Sequence, residues 1–340
     1  MKSVVITGER QAGVVQCAEP KAEGDIVKVE LRVVPMCTEF KGYAAGAVSD
    51  RLGHEAAGVV VDAGNSRRVA AGDRVVVMPQ YGCGVCRFCS SGEHIYCANQ
   101  RDVLSETGSS CGTATFAEYL IKPDWLLLPI PSDVSVRHAS MACCGLGPSF
   151  NAMRTMRVGV TDTVLVIGCG PVGLGAVVNA VARGAAVVAV DVNHYRLELA
   201  ERLGALRGVD PTDPGAVEEI LDLTRGEGVD ATFDSSGSPT AVELLEEVVH
   251  PLSRLSFVVL GQPVGLRRLV QRGLEVHGCW HWNHLRDASE MFGTIRRSKA
   301  ALDTLVTHAF PLEQVNEAFR TQLSGNCGKV LLFPFAEETF

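Results

Sequence analysis

An α/β protein in two parts, a barrel-like β region followed by a doubly wound parallel sheet, is predicted by three features of the chain. Up to residue 129, short runs rich in Val and Ile are cut by Gly, Pro and Asp, the pattern of a partly closed barrel or folded sheet. From residue 163, apolar runs alternate with helical stretches, which implies parallel strands joined by crossover helices. Where that alternation begins, Gly168-x-Gly170-x-x-Gly173 joins an apolar run to a helical one.

The elements follow in order. Residues 3–7, 26–34 and 59–62 read as strands, and Ala71-Gly-Asp-Arg74 reads as a turn into a fourth at 75–78. Residues 82–97 form a loop, and strands at 115–121 and 125–129 follow. The composition changes near Val134, and residues 136–156 have helical character. Further strands are expected at 164–167, 186–190, 231–234, 255–260 and 274–278, with clear helices at 195–203 and 240–249. The stretch 164–182 lacks charge, but Gly168, Gly170, Pro171, Gly173 and Gly175 interrupt it. A strand, a turn and a buried helix explain it better than a membrane span. From about residue 285 the tail is expected to hold two helices and a last strand at 330–333.

With 340 residues the chain can bury two cores, and 46% apolar against 21% charged residues is ordinary for a globular protein. A net charge of −8 without a basic block argues against nucleic acid as partner. The start, MKSVVITGER, is too short in apolar residues for a secretory segment. Twelve cysteines without such a segment point to a reducing cytoplasm and to metal ligands.

One cysteine pattern is specific. Cys83, Cys86, Cys89 and Cys97 stand as C-x2-C-x2-C-x7-C, and four thiolates at such spacings close a tetrahedron around one Zn²⁺. Gly84 and Gly92 supply the permissive backbone that tight wrapping needs. The competing reading, a pair of disulfides or four unrelated buried thiols, fits neither the compartment nor the spacing. All four positions are filled, so this zinc is structural and the chemistry lies elsewhere.

Gly168, Gly170 and Gly173, with Pro171 and Val172 between them, follow an apolar strand and open a helix. In a dinucleotide-binding unit the first glycine permits the turn, the second lets a pyrophosphate approach, and the third allows close helix packing. The helix start then faces the phosphates with unpaired N–H groups. Asp191 closes the next strand 18 residues after Gly173, where a carboxylate accepts hydrogen bonds from a ribose and repels a 2′-phosphate. NAD(H) is therefore expected over NADP(H), with Arg196 and His194 nearby as the cations that weigh against that preference.

A second ligand set begins at Cys37 and continues at Gly53-His54-Glu55. With GHEAAGVVVDAG at 53–64, AAGDRVVV at 70–77, the four-cysteine lobe and the GxGxxG unit in this order, the chain resembles the zinc-dependent medium-chain dehydrogenases, the alcohol, polyol and threonine dehydrogenase superfamily. The resemblance covers nearly the full length. It implies a GroES-like catalytic domain at 1–148, a Rossmann NAD-binding domain at 149–284, and a segment at 285–340 that returns to the first domain. It also implies two zinc ions per subunit, a homodimer or homotetramer, and a small alcohol or ketone substrate with neither nucleic acid nor membrane. By the same resemblance Cys37 and His54 match the first two ligands of a catalytic zinc, and Cys144, or its neighbour Cys143, the third. Glu55 matches a carboxylate beside the metal. Three protein ligands and an exchangeable position are what a catalytic zinc requires.

The chain departs from the family at several points. Cys37 and His54 are 17 residues apart, a shorter loop than usual, so part of the pocket wall is expected to be missing. Where the family reads Cys-Gly-Ser/Thr-Asp, this chain has Met36-Cys37-Thr38-Glu39, which leaves the proton relay open between Thr38 and Glu39. Tyr43 is either a pocket tyrosine or a surface aromatic. Lys329 reads as solvated, although it resembles a basic position near the pyrophosphate. His281 and His284 read as satisfied loop histidines, and Cys17, Cys111, Cys169, Cys279 and Cys327 as small buried hydrophobes. The implied activity is interconversion of an alcohol, whether secondary alcohol, polyol, sugar or cyclitol, with its ketone or aldehyde. Competing readings are a metal-independent enone or quinone reductase of the same superfamily, and a non-catalytic zinc and nucleotide binder.

Overall fold

Residues 1–259 and 265–335 are described by the computed structural model, and two sheets organise them. The second sheet in chain order is the simpler. Six strands lie in the order Arg207–Val209, Ala186–Val190, Thr163–Ile167, Val229–Asp234, Val249–Phe257, Glu275–Gly278, every pair parallel. Numbered along the chain this is 3-2-1-4-5-6, so the order reverses beside the first strand and opens a crevice at the carboxyl ends. Side chains alternate across the Thr163–Ile167 strand. Val164 and Val166 enter one apolar cluster, Leu165 and Ile167 another, and all four are at most 3% exposed. Helices therefore cover both faces, and each such side chain contributes about 1.5–3 kcal/mol by leaving water.

The first sheet has seven strands, centred on Ile26–Pro35, which pairs antiparallel with Ala56–Asp62, Tyr119–Pro123 and Lys329–Phe333. Arg74–Val77 and Leu127–Pro129 extend it on one side, and Val306–Pro311 on the other. The final strand of the chain is thus built into the sheet that the start of the chain begins. Lys2–Gly8 and Gln11–Gln16 form a separate hairpin. The two sheets share a core: Val76 and Met78 from the first belong to the same buried cluster as Val164 and Val166 from the second.

Element types agree with the sequence reading in most places, and the differences have local causes. The expected helix at 136–156 is two helices, Val136–Ser140 and Gly147–Thr155, separated by the turns that carry Cys143 and Cys144. The strand expected at 115–121 lies at Tyr119–Pro123, and that expected at 125–129 shrinks to Leu127–Pro129 behind a short 3₁₀ turn. Leu260, at the end of the strand expected over 255–260, lies outside the described residues, as do 336–340 of the tail. The tail holds three helices, at His284–Arg297, Lys299–Leu305 and Val315–Ser324, and the unforeseen strand Val306–Pro311. Among the described residues no helix is long and apolar enough to cross a membrane.

One backbone contact positions the site. The helix Pro171–Ala182 packs against the loop at Gly145 so closely that a Cβ at Gly175 would stand 1.8 Å from the Gly145 oxygen. Gly175→Ala should push that loop outward and cost roughly 1–3 kcal/mol by overpacking. Urea unfolding of the variant against the parent measures it, and an unchanged midpoint would contradict the contact.

Candidate active site

Cys37 follows the end of the central Ile26–Pro35 strand, and His54 and Glu55 precede the Ala56–Asp62 strand paired with it. Cys144 lies in the turn before the Gly147–Thr155 helix. These three segments bring one ligand atom each of Cys37, His54, Glu55 and Cys144 within 4.8 Å of one another. Cys144 Sγ is 3.3 Å from His54 Nε2. Cys143, one residue earlier, points elsewhere: its Sγ lies 3.2 Å from the Val77 carbonyl oxygen, and burial pushes its thiol up to about 12. The geometry therefore separates the two cysteines the sequence left open. The Cys37 thiol is drawn well below the ordinary thiol range, first by a hydrogen bond from Cys144, with burial opposing and His54 and Lys329 assisting. The same hydrogen bond pushes Cys144 up, so the pair holds one thiolate, the form a metal takes.

Glu39 is placed differently from either reading of the proton relay. Its Oε1 lies 2.7 Å from His54 Nδ1, and its Oε2 accepts the Cys37 backbone N–H at 2.9 Å. The carboxylate thus fixes the His54 tautomer and leaves Nε2 toward the cluster. The structure thus gives Glu39, offered by the sequence as a relay candidate, a bridging position between Cys37 and His54. Thr38 is exposed at the start of the Glu39–Ala45 helix, and its hydroxyl caps nothing. The signal was present in the sequence: one residue fewer between cysteine and acid than in the family pattern, offset by a side chain one carbon longer.

Lys329 is another correction. It is 0% exposed, and its Nζ lies 2.7 Å from Glu55 Oε1, itself 0% exposed. Burial favours the neutral amine, but the Glu55 and Cys37 charges outweigh it and hold the ammonium protonated. Glu55 Oε2 accepts the Gly145 N–H at 3.2 Å, and Gln322 Nε2 donates to the Cys37 carbonyl at 3.2 Å. Tyr43 is not a surface residue. It stacks on Phe319 with ring centroids 4.5 Å apart and donates to Asn316 Oδ1 at 3.2 Å, wholly buried.

The four-cysteine lobe wraps as its spacing requires. Cys83, Cys86, Cys89 and Cys97 also gather within 4.8 Å, with Cys86 and Cys97 sulfurs 3.8 Å apart. An S···S edge of roughly 3.8 Å is that of a tetrahedron with Zn–S bonds of about 2.3 Å. Amides of Val85 and Cys86 draw the Cys83 thiol down to about 6. The lobe docks through Asn283, whose Nδ2 donates to the Ser91 carbonyl at 2.7 Å and to Glu93 at 2.9 Å.

In the crevice, a cavity of about 330 Å³ is lined by Gly168, Gly170, Asp191, Arg196, Ser235 and Ser238 among others. Gly168 adopts φ +83°, and a Cβ at Gly173 would stand 1.7 Å from the Gly168 oxygen, so the turn and the packing both demand glycine. A Cβ at Gly170 would meet nothing within 4 Å, which leaves the helix start, with Pro171 and Val172 in its first turn, open toward the cavity. Asp191 accepts N–H groups of Cys169 at 2.6 Å and Asn193 at 2.9 Å, which pins the carboxylate at the rim. Arg196 stands 4.0 Å from Asp191 and donates its Nε to Gly325, whereas His194 is exposed. Pro211 and Thr240, which complete this wall, had no distinguishing signal in the sequence.

The remaining predicted residues divide. Cys169, Cys279 and Cys327 are buried, but Cys17 and Cys111 are half-buried, with Cys111 Sγ 2.9 Å from the Ala18 oxygen. His284 Nε2 meets the Trp125 carbonyl at 2.9 Å, but among the described residues His281 keeps a buried Nε2 without a partner, against expectation.

A dinucleotide crevice beside a thiolate–imidazole cluster, with a separate four-thiolate lobe, is the make-up of a zinc-type oxidoreductase. Comparison with known proteins agrees. The profile of the alcohol dehydrogenase GroES-like domain matches residues 24–132, and that of the zinc-binding dehydrogenases matches residues 171–297. An L-threonine 3-dehydrogenase of Symbiobacterium thermophilum is 34% identical over 91% of this chain and 90% of its own length. The alcohol dehydrogenase of Thermus sp. ATN1 superposes with a TM-score of 0.86 at 24% identity, over 98% of this chain and 100% of that one. A solved NAD-dependent alcohol dehydrogenase gives 0.81 at 25% identity, with 98% and 100% covered. The chain belongs to the zinc-dependent medium-chain dehydrogenase superfamily, as an NAD-dependent enzyme of the alcohol dehydrogenase type.

Lys329→Met leaves the Glu55 carboxylate buried without its cation, which should cost about 3–5 kcal/mol. Adding Glu55→Gln should recover a large part of that loss, because the uncompensated charge goes with it. Unfolding of the two variants and the parent measures both, and a mild single variant would contradict the pairing.

Proposed function

We propose that the protein oxidises a secondary alcohol to its ketone with NAD⁺, reversibly, using one catalytic and one structural zinc per subunit. The observation that carries this reading is the convergence of Cys37, His54, Glu55 and Cys144 within 4.8 Å beside the helix that opens the dinucleotide crevice. A metal-independent reductase has no use for that set. The second zinc rests on the four sulfurs of the lobe, whose 3.8 Å edge fits the ion.

Cys37, His54 and Cys144 hold the catalytic metal, with Glu55 beside it. Zinc there supplies Lewis acidity toward an alcohol or carbonyl oxygen, and NAD⁺ the hydride acceptor. Glu39 keeps His54 in the tautomer that presents Nε2. Lys329 holds Glu55 within a dry pocket and balances its charge. Thr38, exposed one residue after Cys37, passes the hydroxyl proton outward. Gly168, Gly170, Pro171, Val172 and Gly173 receive the pyrophosphate, and Asp191 the ribose of NAD(H), with Arg196 steadying the rim.

Residues 1–148 and 285–340 form the catalytic domain and 149–284 the nucleotide domain, a division supported by the pairing of Lys329–Phe333 with Ile26–Pro35. We place the enzyme in the reducing cytoplasm, where both thiolate clusters stay reduced, as a homodimer or homotetramer.

A panel of secondary alcohols, polyols and amino alcohols with NAD⁺, followed at the NADH absorbance band, tests the reading. At least one should be turned over by protein carrying two zinc ions per chain on elemental analysis, and silence across the panel would overturn it. Glu39→Ala should lower zinc affinity or activity roughly 10–100-fold, because the ligating imidazole loses its orienting carboxylate. Metal titration and kinetics on the variant check this.

A further inference from the structure

We propose that Cys17 and Cys111 form a reversible disulfide when the low-molecular-weight thiol pool is oxidised, a redox site separate from both thiolate clusters.

Of the twelve cysteines, six belong to the two clusters, and Cys143, Cys169, Cys279 and Cys327 are buried. Cys17 and Cys111 are the remaining two, and both are half-buried. They meet from distant parts of the chain. Cys17 follows the Gln11–Gln16 strand, and its N–H donates to the Met1 carbonyl at 2.9 Å. Cys111 lies in the loop before the Tyr119–Pro123 strand, and its Sγ donates at 2.9 Å to the carbonyl of Ala18, the residue after Cys17. The flanks pack as well: a Cβ at Gly112 would stand 2.7 Å from Pro20. Burial, followed by a hydrogen bond to Cys111, pushes the Cys17 thiol up to about 11, so the two side chains share a proton. A disulfide needs two sulfurs that already face each other on backbones held close, which these contacts supply.

The proton held on Cys17 makes Cys111 the sulfur that ionises first. Its thiolate attacks one sulfur of a low-molecular-weight disulfide such as oxidised glutathione and expels one thiolate. Cys17 then gives up its proton, attacks the Cys111 sulfur and expels the second. Two protein thiols become one disulfide, the small disulfide becomes two thiols, and both protons and both electrons leave with them. The link closes the segment from residue 17 to residue 111, which carries Cys37, His54, Glu55 and the four-cysteine lobe. Closing so long a loop restricts the unfolded chain, which makes the oxidised form the more stable one. It also clamps the loop whose Thr115 and Phe116 amides donate to the Gly53 and Leu52 carbonyls, beside His54.

In the test, zinc-loaded protein is incubated with oxidised and reduced glutathione at graded ratios. Free thiols are then alkylated, and linked peptides are mapped by mass spectrometry while released zinc is followed. We expect a Cys17–Cys111 link before any zinc is released, reversal by reduced glutathione, and a melting midpoint raised by about 5 °C over the reduced form. Cys17→Ser should leave a glutathione adduct on Cys111, Cys111→Ser should leave Cys17 free, and neither variant should gain the midpoint shift. Should a variant not fold, mapping and melting of the wild type decide alone. Thiols at 17 and 111 that stay alkylatable at every ratio, a link that forms only after zinc is lost, or a linked protein that melts no higher than the reduced one overturns the proposal.

Discussion

The site is held by one buried ion pair. Lys329 enters on the last strand and Glu55 leaves on a loop near the start, yet they meet at 2.7 Å with neither exposed. Such a pair is costly to bury, and its worth lies less in net stability than in what it specifies. It fixes the register of the closing strand against the central one, and through Glu55 it reaches Gly145, next to Cys144. Cys37, on the central strand's exit, is tied to the same tail by Gln322. Three segments far apart in the chain are thereby brought to one point.

The second constraint is steric. The Gly175 approach to Gly145 sets the distance between the nucleotide-binding helix and the loop of Cys144. The helix start, open toward the crevice, and the loop of Cys144 are neighbours because no side chain separates the two backbones. Glu39 then sets the angle: it bridges the Cys37 amide and the His54 ring, so two members of the cluster are oriented by one carboxylate.

Much of this was legible beforehand because it depends on local spacing. The lobe of Cys83, Cys86, Cys89 and Cys97 and the turn of Gly168, Gly170 and Gly173 are each written within a few residues, and backbone sterics dictate their form. What spacing does not encode was missed. A lysine reads as solvated until its partner, 274 residues away, is known. Glu39 looked like a relay because the missing residue before it was visible but its reach to His54 was not. Tyr43 and His281 depended on which helix or loop lies across them, a matter of tertiary packing. The breaks within 136–156 follow from the same cause: the turns at Cys143 and Cys144 answer to the site rather than to helix propensity.

The segment leading out of the Val315–Ser324 helix has a consequence of its own. Gly325 accepts from Arg196 at 2.9 Å and Asn326 meets Asn193 at 3.5 Å, both close to Asp191, and Lys329 lies three residues on. Five residues of tail thus border the rim of the crevice at one end and the cluster of Cys37, His54, Glu55 and Cys144 at the other. A substitution in this short span therefore bears on two sites at once.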